Sequence, residues 1–377
     1  MFNMVQLPEP FASIPIHQIR YPRPSPIHEF GTNLEAATRA PNQPDLRVWM
    51  KRDDQAAPMV CCGNKYRKLE YIIPEILSTP GVTTIVTEGG LQSNHAVQVA
   101  AVSGKLGLEC VLLLDEQSGG LDASENPEIF RSTGNIQICQ LLGADIRVFS
   151  GSYDKDNVLA ELRSTGKVPY WIPMGASMHP LGGLGYARCA FEIALQEEEL
   201  QLEGSGRFDY IFLPCGSGST LAGLIAGFRL LEKSSTGEKR LPPRQIIGLT
   251  VSPKEEQEQT VLQIARTTGG HIGLDPQSDL TLSDVRLDHR SHGTGYGILD
   301  TDTEKSLREI ATQDGVLMDP VYSGKAAGGM ISFLRSGELE TDARRLGHAG
   351  AEPLNILVLH TGGQTVYSAY ATTSTTA

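Results

Sequence analysis

The densest group of potential ligand-holding residues is Leu213-Pro214-Cys215-Gly216-Ser217-Gly218-Ser219-Thr220, where two glycines and three hydroxyl residues stand between an apolar strand and an apolar helix. Glycines let successive backbone N–H groups converge, the hydroxyls add donors, and a helix N-terminus adds partial positive charge. That combination suits an anion, most naturally a phosphate. No Lys follows the second Gly, which excludes a Walker loop, and Leu221 stands where a dinucleotide fingerprint needs its third Gly. The ligand left by these exclusions is a monophosphate. The plainer reading is a Gly-rich turn capped by its own hydroxyls.

Three further segments could act on such a ligand. In Gly63-Asn64-Lys65-Tyr66-Arg67-Lys68-Leu69-Glu70, a Lys beside a Gly at a helix start can serve as an amine nucleophile if burial lowers its pKa. Lys325 in Tyr322-Ser323-Gly324-Lys325 is a comparable candidate, and spacing does not choose between them. Gly89-Gly90-Leu91-Gln92-Ser93-Asn94-His95 again follows a strand and opens a helix; capping alone would explain its Ser and Asn. His360-Thr361-Gly362-Gly363 ends the last strand, where α/β folds place binding groups. His289-x-x-His292 is the closest His pair, and there is neither an H-E-x-x-H nor a G-x-S-x-G motif, so no metal is expected.

These segments must be positioned by a scaffold, and the chain alternates strand with helix. A β-branched run at 82–87, a helical pattern at 93–106 and an apolar strand at 110–114 form a βαβ unit, hence parallel pairing. The alternation continues with a helix at 135–142 and strands at 144–149 and 169–173. A long helix is expected from about Pro180 to Leu202, then a strand at 210–213, a helix at 220–231 and a strand at 246–251. Further helices are expected at 254–267, 303–313 and 326–334, and a final strand at 354–360. The first forty-five residues are Pro-rich and read as an arm wrapped on a core built later. Segments 116–133 and 233–243 read as insertions, and 371–377 as a frayed tail. This is the α/β class.

Composition bounds the partners. The chain has 377 residues, 44 Asp and Glu against 32 Lys and Arg, and a formal charge of −12. Nucleic acid and anionic membrane surfaces need a basic face, so neither is an expected partner. No apolar run is long enough to span a membrane, and six irregularly spaced Cys suit a reducing, cytoplasmic setting. Forty Gly, about one residue in nine, exceed the usual ~7 % and fit loops closing around a small ligand.

Taken in order, the segments resemble the family of 1-aminocyclopropane-1-carboxylate deaminases and D-cysteine desulfhydrases, pyridoxal-phosphate enzymes of the tryptophan-synthase-β type. The series comprises the stretch 63–70, Gln92-Ser93-Asn94-His95, Gly134-Asn135-Ile136-Gln137, the stretch His179 to Gly185, the loop 216–220, Gly295-Tyr296-Gly297, Asp319-Pro320-Val321-Tyr322-x-Gly324-Lys325 and His360-Thr361-Gly362-Gly363. It spans roughly residues 45–370. The resemblance implies two open, mainly parallel α/β sheet domains with pyridoxal 5'-phosphate in the cleft between them: residues 1–67 and 171–377 form the large domain, with 68–170 inserted as the small one. It also implies a homodimer.

By the same resemblance Lys65 bonds the cofactor aldehyde and moves the substrate proton, which leaves Lys325 structural. Asn94 meets the ring hydroxyl, Ser93 the substrate carboxylate, and Gly216, Ser217, Gly218, Ser219 and Thr220 the phosphate. Tyr296 and Tyr322 are the tyrosines that approach the substrate. In the deaminases a Glu follows the second Tyr and reaches the pyridine nitrogen, and a Leu follows the His before the last Gly-Gly. Ser323 and Thr361 stand there in this chain, as in the desulfhydrases. A carboxylate keeps that nitrogen protonated and lets the ring hold a full carbanion, which cyclopropane opening needs. A hydroxyl suffices when a good β-leaving group departs. The expected reaction is therefore α,β-elimination of D-cysteine or a related amino acid to keto acid, ammonia and thiol. Deamination of 1-aminocyclopropane-1-carboxylate, or a specialised β- or γ-replacement, is the alternative.

Overall fold

The computed structural model describes residues 5–31, 45–118, 127–234, 241–252, 254–348 and 352–370. Along the chain, β1 (Ile27–Glu29) and β2 (Leu46–Arg52) lead to α1 (Asn64–Ser78). There follow β3 (Thr84–Gly90), α2 (Asn94–Leu106), β4 (Glu109–Asp115), α3 (Pro127–Ser132), α4 (Asn135–Leu141), β5 (Asp145–Phe149), α5 (Lys155–Ser164) and β6 (Pro169–Ile172). These four strands form one wholly parallel sheet in the order β5-β4-β3-β6.

The chain continues through α6 (Leu184–Leu200), β7 (Tyr210–Cys215), α7 (Ser219–Ser234), β8 (Gln245–Thr250), α8 (Gln257–Ile272) and β9 (Arg286–Asp288). It ends with α9 (Thr301–Asp314), α10 (Ser323–Ser336), α11 (Glu338–Leu346) and β10 (Leu354–His360). The second sheet runs β1-β2-β10-β7-β8-β9, and only β1 pairs antiparallel. A parallel strand covered on both faces reads as a continuous apolar run, and β7 shows why. Ile211 and Leu213 enter a core shared with Tyr186 of α6, Leu224 of α7 and Ile264 of α8, while Tyr210 and Phe212 enter another with Met330 of α10 and Leu339 of α11. The α/β class with two open, mainly parallel sheets is therefore observed.

The local differences from expectation have physical causes. The helix expected from Pro180 begins at Leu184, because the Gly182 N–H closes a turn on the His179 carbonyl at 2.8 Å. The N-terminal arm is pinned: His17 N–H donates to Glu70 O (2.8 Å), and Arg20 Nε pairs with the Glu70 carboxylate at 2.9 Å. That arm also contributes β1, and the helices α5 and α11 were not expected at all. The expected frayed tail at 371–377 and part of each expected insertion lie outside the described residues. No helix among the described residues is long and apolar enough to cross a membrane.

Candidate active site

The functional segments converge at the C-terminal ends of parallel strands, where open α/β sheets place ligands. Ser93 and Asn94 follow β3, residues 216–220 follow β7, and Thr361 follows β10. The start of α1 is tied to the last of these: Asn64 N–H donates to Thr361 O at 3.1 Å, and Gly63 bridges Gly362. A Cβ on Gly63 would stand 2.4 Å from the Thr361 carbonyl oxygen, so only Gly permits the approach that sets Lys65 beside Thr361. The result is a cavity of about 240 Å³ lined by Lys65, Ser93, Asn94, His95, Gly216, Ser217, Gly218, Thr220, Lys254, Tyr296, Tyr322 and Thr361, among others. Among the described residues no Asp or Glu lines it. A larger groove of about 480 Å³ runs beside β9, with its arginines paired to carboxylates. None of the residues singled out from the sequence lines that groove.

Ten of the twelve predicted site residues line the small cavity; Ser219 and Ser323 are fully buried beside it. Ser219 accepts a hydrogen bond from Lys68 Nζ at 2.7 Å and bonds Ser177 Oγ at 2.9 Å, and the Ser177 hydroxyl donates to Ser217 Oγ at 2.5 Å. With donors fixed at both ends, Ser219 donates to Ser177, and the Ser217 hydrogen is left for the cavity. Thr220 Oγ1 accepts from Asn64 Nδ2 at 3.2 Å, which leaves its hydrogen free as well. Gly218, at φ +93°, adds the bend that an L side chain rarely adopts. The loop thus aims hydroxyl donors at one point, with Lys68 behind them.

Lys68 and Ser177 were not singled out from the sequence. Both look ordinary there, since only the tertiary contacts of α1 and of the segment after β6 with the loop reveal them. Burial, and then the neighbouring Lys65, hold the Lys68 pKa well below 10.5, which marks a place that lacks negative charge. A phosphate dianion fits it.

Asn94 is oriented rather than free. Its Oδ1 accepts from Asn135 Nδ2 at 2.7 Å, so its own amide hydrogens remain to meet an acceptor in the cavity. Asn135 is itself fixed, donating to Gln92 O at 3.0 Å and accepting from Thr365 Oγ1 at 2.6 Å. Ser93 caps α2 by accepting the Ala96 N–H at 3.2 Å, which likewise leaves its hydroxyl hydrogen to donate.

Burial lowers the Lys65 pKa from 10.5 to about 8, while a hydrogen bond with Lys68 and the charge of Asp319 oppose a further fall. About a tenth of such an amine is neutral at pH 7, some hundreds of times the share at a pKa of 10.5, and that neutral form is the nucleophile. Lys325 differs: its ammonium donates to the carbonyls of His292 (2.6 Å) and Gly295 (2.8 Å), holding the loop that carries Tyr296. The Tyr296 and Tyr322 hydroxyls hydrogen-bond directly, their ring centroids 5.8 Å apart. Burial raises both phenols, Tyr322 well above 10, so both stay protonated.

Ser323 Oγ accepts the Thr361 N–H at 3.1 Å and lies 3.0 Å from Thr361 Oγ1. His289 pairs with Glu258 at 2.8 Å and His292 bonds the Gly293 carbonyl at 2.6 Å, so the two do not act together. Among the described residues no group of three or more His, Cys, Asp or Glu is placed to hold a metal ion.

An anion cup, a buried amine and an oriented amide donor are the parts that a phosphate-bearing aldehyde with a ring hydroxyl requires, and the comparisons agree. The chain is 37 % identical over 333 residues to a 1-aminocyclopropane-1-carboxylate deaminase of Ralstonia nicotianae, covering 86 % of this chain and 89 % of that one. It is similar to a crystal structure of an ACC deaminase homologue, with 28 % identity, 96 % of each chain covered and a TM-score of 0.75. A hydrogen sulfide-producing enzyme of Fusobacterium nucleatum, 15 % identical over 95 % of this chain and 99 % of that one with a TM-score of 0.54, shares the fold alone. The family profile described as pyridoxal-phosphate dependent enzyme matches residues 26–347, and the chain belongs to that family, with pyridoxal 5'-phosphate as its cofactor.

Proposed function

We propose that the protein eliminates the β-substituent of a small amino acid, D-cysteine or a relative, releasing thiol, ammonia and a keto acid. The observation that carries this reading is the Ser323–Thr361 hydroxyl pair at the wall of a cavity that no carboxylate lines among the described residues. In this reading Gly216 to Thr220 and Lys68 hold the cofactor phosphate, Asn94 its ring hydroxyl, Thr361 backed by Ser323 its ring nitrogen, and Lys65 its aldehyde carbon. Pyridoxal phosphate supplies an electron sink for the substrate α-carbon.

The chain's own residues supply the rest. Ser93 and the first N–H groups of α2 orient the substrate carboxylate. Lys65, with its pKa near 8, takes the α-proton, because both tyrosines are held as phenols and lack a free basic site. The carbon–sulfur bond then breaks with its electron pair on sulfur, which receives a proton from the Tyr296–Tyr322 pair, and the proton that Lys65 took restores the phenol. The released enamine hydrolyses in water to keto acid and ammonia. The division into residues 1–67 and 171–377 around 68–170 belongs to the same reading, as does a homodimer. A cytoplasmic setting is supported by the six cysteines, all free.

A second reading, ring opening of 1-aminocyclopropane-1-carboxylate, is favoured by the activity named for the Ralstonia relative. In that case the tyrosine pair would act at the ring, and the Ser323 position would have to be compensated. The test of the first reading is the release of sulfide and keto acid from D-cysteine by purified protein, and the loss of both in Lys65→Ala. Turnover that survives in Lys65→Ala contradicts it.

A further inference from the structure

The carbonyl of Gly216, in the loop that aims donors at the cavity, is gripped from outside that loop. Lys254 Nζ and Gln257 Nε2 each donate to it at 3.0 Å, and neither residue is used by the steps above. Lys254 is exposed and lines the cavity, whereas Gln257, the first residue of α8, is 3 % exposed. Gln257 Nε2 also faces the Cys215 carbonyl at 3.4 Å, so a turned amide would set its oxygen against two carbonyl oxygens. The orientation is thus fixed, and it leaves Gln257 Oε1 buried without a partner among the described residues. Glu256, just before it, holds a φ of +51°, which L side chains rarely adopt. A stranded acceptor and a strained backbone at one helix start are costs that the grip on Gly216 must offset.

A carbonyl that accepts from two donors has both lone pairs in use and a fixed direction. Across a trans peptide the next N–H points the opposite way, so the Ser217 N–H is turned away from Lys254 and Gln257. It has no partner among the described residues. Donors on the oxygen also polarise the peptide, which strengthens its N–H. Ser217 itself lines the cavity, and its hydroxyl hydrogen is the one left for a ligand there. We infer that Gln257 and Lys254 are positioning residues of this site, which hold the Gly216 carbonyl so that the Ser217 N–H is presented to the phosphate of pyridoxal phosphate. This rests on the reading of the loop 216–220 as the holder of that phosphate.

The test uses pyridoxal, which shares the ring and aldehyde of the cofactor but lacks its phosphate. Apo-protein is titrated with pyridoxal phosphate and with pyridoxal, and the ratio of the two Kd values is compared between wild type and variants. Gln257→Met keeps the length of the side chain and removes the donor. It is expected to weaken pyridoxal phosphate roughly 2- to 10-fold, the equivalent of one hydrogen bond, and to leave pyridoxal unchanged. Lys254→Met changes an exposed side chain outside the core and is expected to shift the ratio in the same direction. Equal loss of both ligands in Gln257→Met means that the residue only supports the fold and overturns the inference, as does an unchanged ratio in either variant. Wild-type protein that binds pyridoxal as tightly as pyridoxal phosphate instead overturns the reading of the loop on which it rests.

Discussion

Ser323 Oγ and Thr361 Oγ1 lie 3.0 Å apart, at the junction of the first residue of α10 with the end of β10. Hydroxyls at this place can share a hydrogen bond with a neutral ring nitrogen but cannot hold it protonated. Replacing both, Ser323→Glu with Thr361→Leu, is expected to move the ratio of ring opening to β-elimination by roughly tenfold or more, the effect of one hydrogen bond to a charged group. Steady-state rates on D-cysteine and on the cyclopropane amino acid measure it. An unchanged ratio in a folded variant shows that the pair does not decide the reaction.

Lys68 stands at the head of the hydroxyl relay that ends on Ser217. Lys68→Met is expected to weaken pyridoxal-phosphate binding roughly 10- to 100-fold, the equivalent of one charge-assisted hydrogen bond. Titration of apo-protein with cofactor gives the Kd. Wild-type affinity in the variant removes Lys68 from the phosphate site.

The phenols of Tyr296 and Tyr322 are held protonated next to each other. Tyr322→Phe is expected to lower kcat by roughly 10²- to 10⁴-fold, the usual worth of a positioned acid, while the cofactor's visible absorption persists. Undiminished kcat means that water protonates the leaving group.

Arg67, two residues beyond Lys65, is wholly buried between Asp53 (2.6 Å) and Glu192 (2.7 Å), and Lys51 reaches the same Glu192 at 2.8 Å. Arg67→Met takes from Asp53 its ion partner and leaves Glu192 to Lys51, and is expected to cost about 3–5 kcal/mol in denaturant unfolding. Burial alone would raise the Asp53 pKa, but Arg67 and then Lys51 bring it from 3.8 to about 2. A folded value below the unfolded one means stability that is complete above pH 3.8 and lost as pH falls toward 2. The wild type should therefore lose about 2 kcal/mol across that window through this one carboxylate. A flat acid limb contradicts the assignment.

The βαβ alternation could be read because buried parallel strands are continuous apolar runs, and Leu354–His360 was bounded to the residue for that reason. Helix α11 escaped because its pattern is dominated by charge, with Leu339 and Ala343 as its buried apolar anchors. The loop 216–220 stood out through its local density of Gly and hydroxyl residues, whereas spacing left Lys65 level with Lys325 and Ser93 and Asn94 explicable as caps, and it was the resemblance that gave these three a role. Lys68, Ser177 and Asn135 act through partners 40 or more residues away, and the hydrogen-bond direction of the His95 ring is set by Thr87 on a neighbouring strand. Spacing along the chain carries no trace of such contacts. The resemblance drew attention to Lys68, Asn135 and His95 as members of motifs but gave none of them a role.

The central claim is that Lys65, in a cavity that no carboxylate lines among the described residues, runs β-elimination. Its most direct test gives purified protein D-cysteine, L-cysteine and 1-aminocyclopropane-1-carboxylate side by side and measures keto acid, ammonia and sulfide. Sulfide and keto acid from D-cysteine in equal amounts, with no turnover of the cyclopropane, is the predicted result. Keto acid from the cyclopropane with no sulfide from D-cysteine would contradict it.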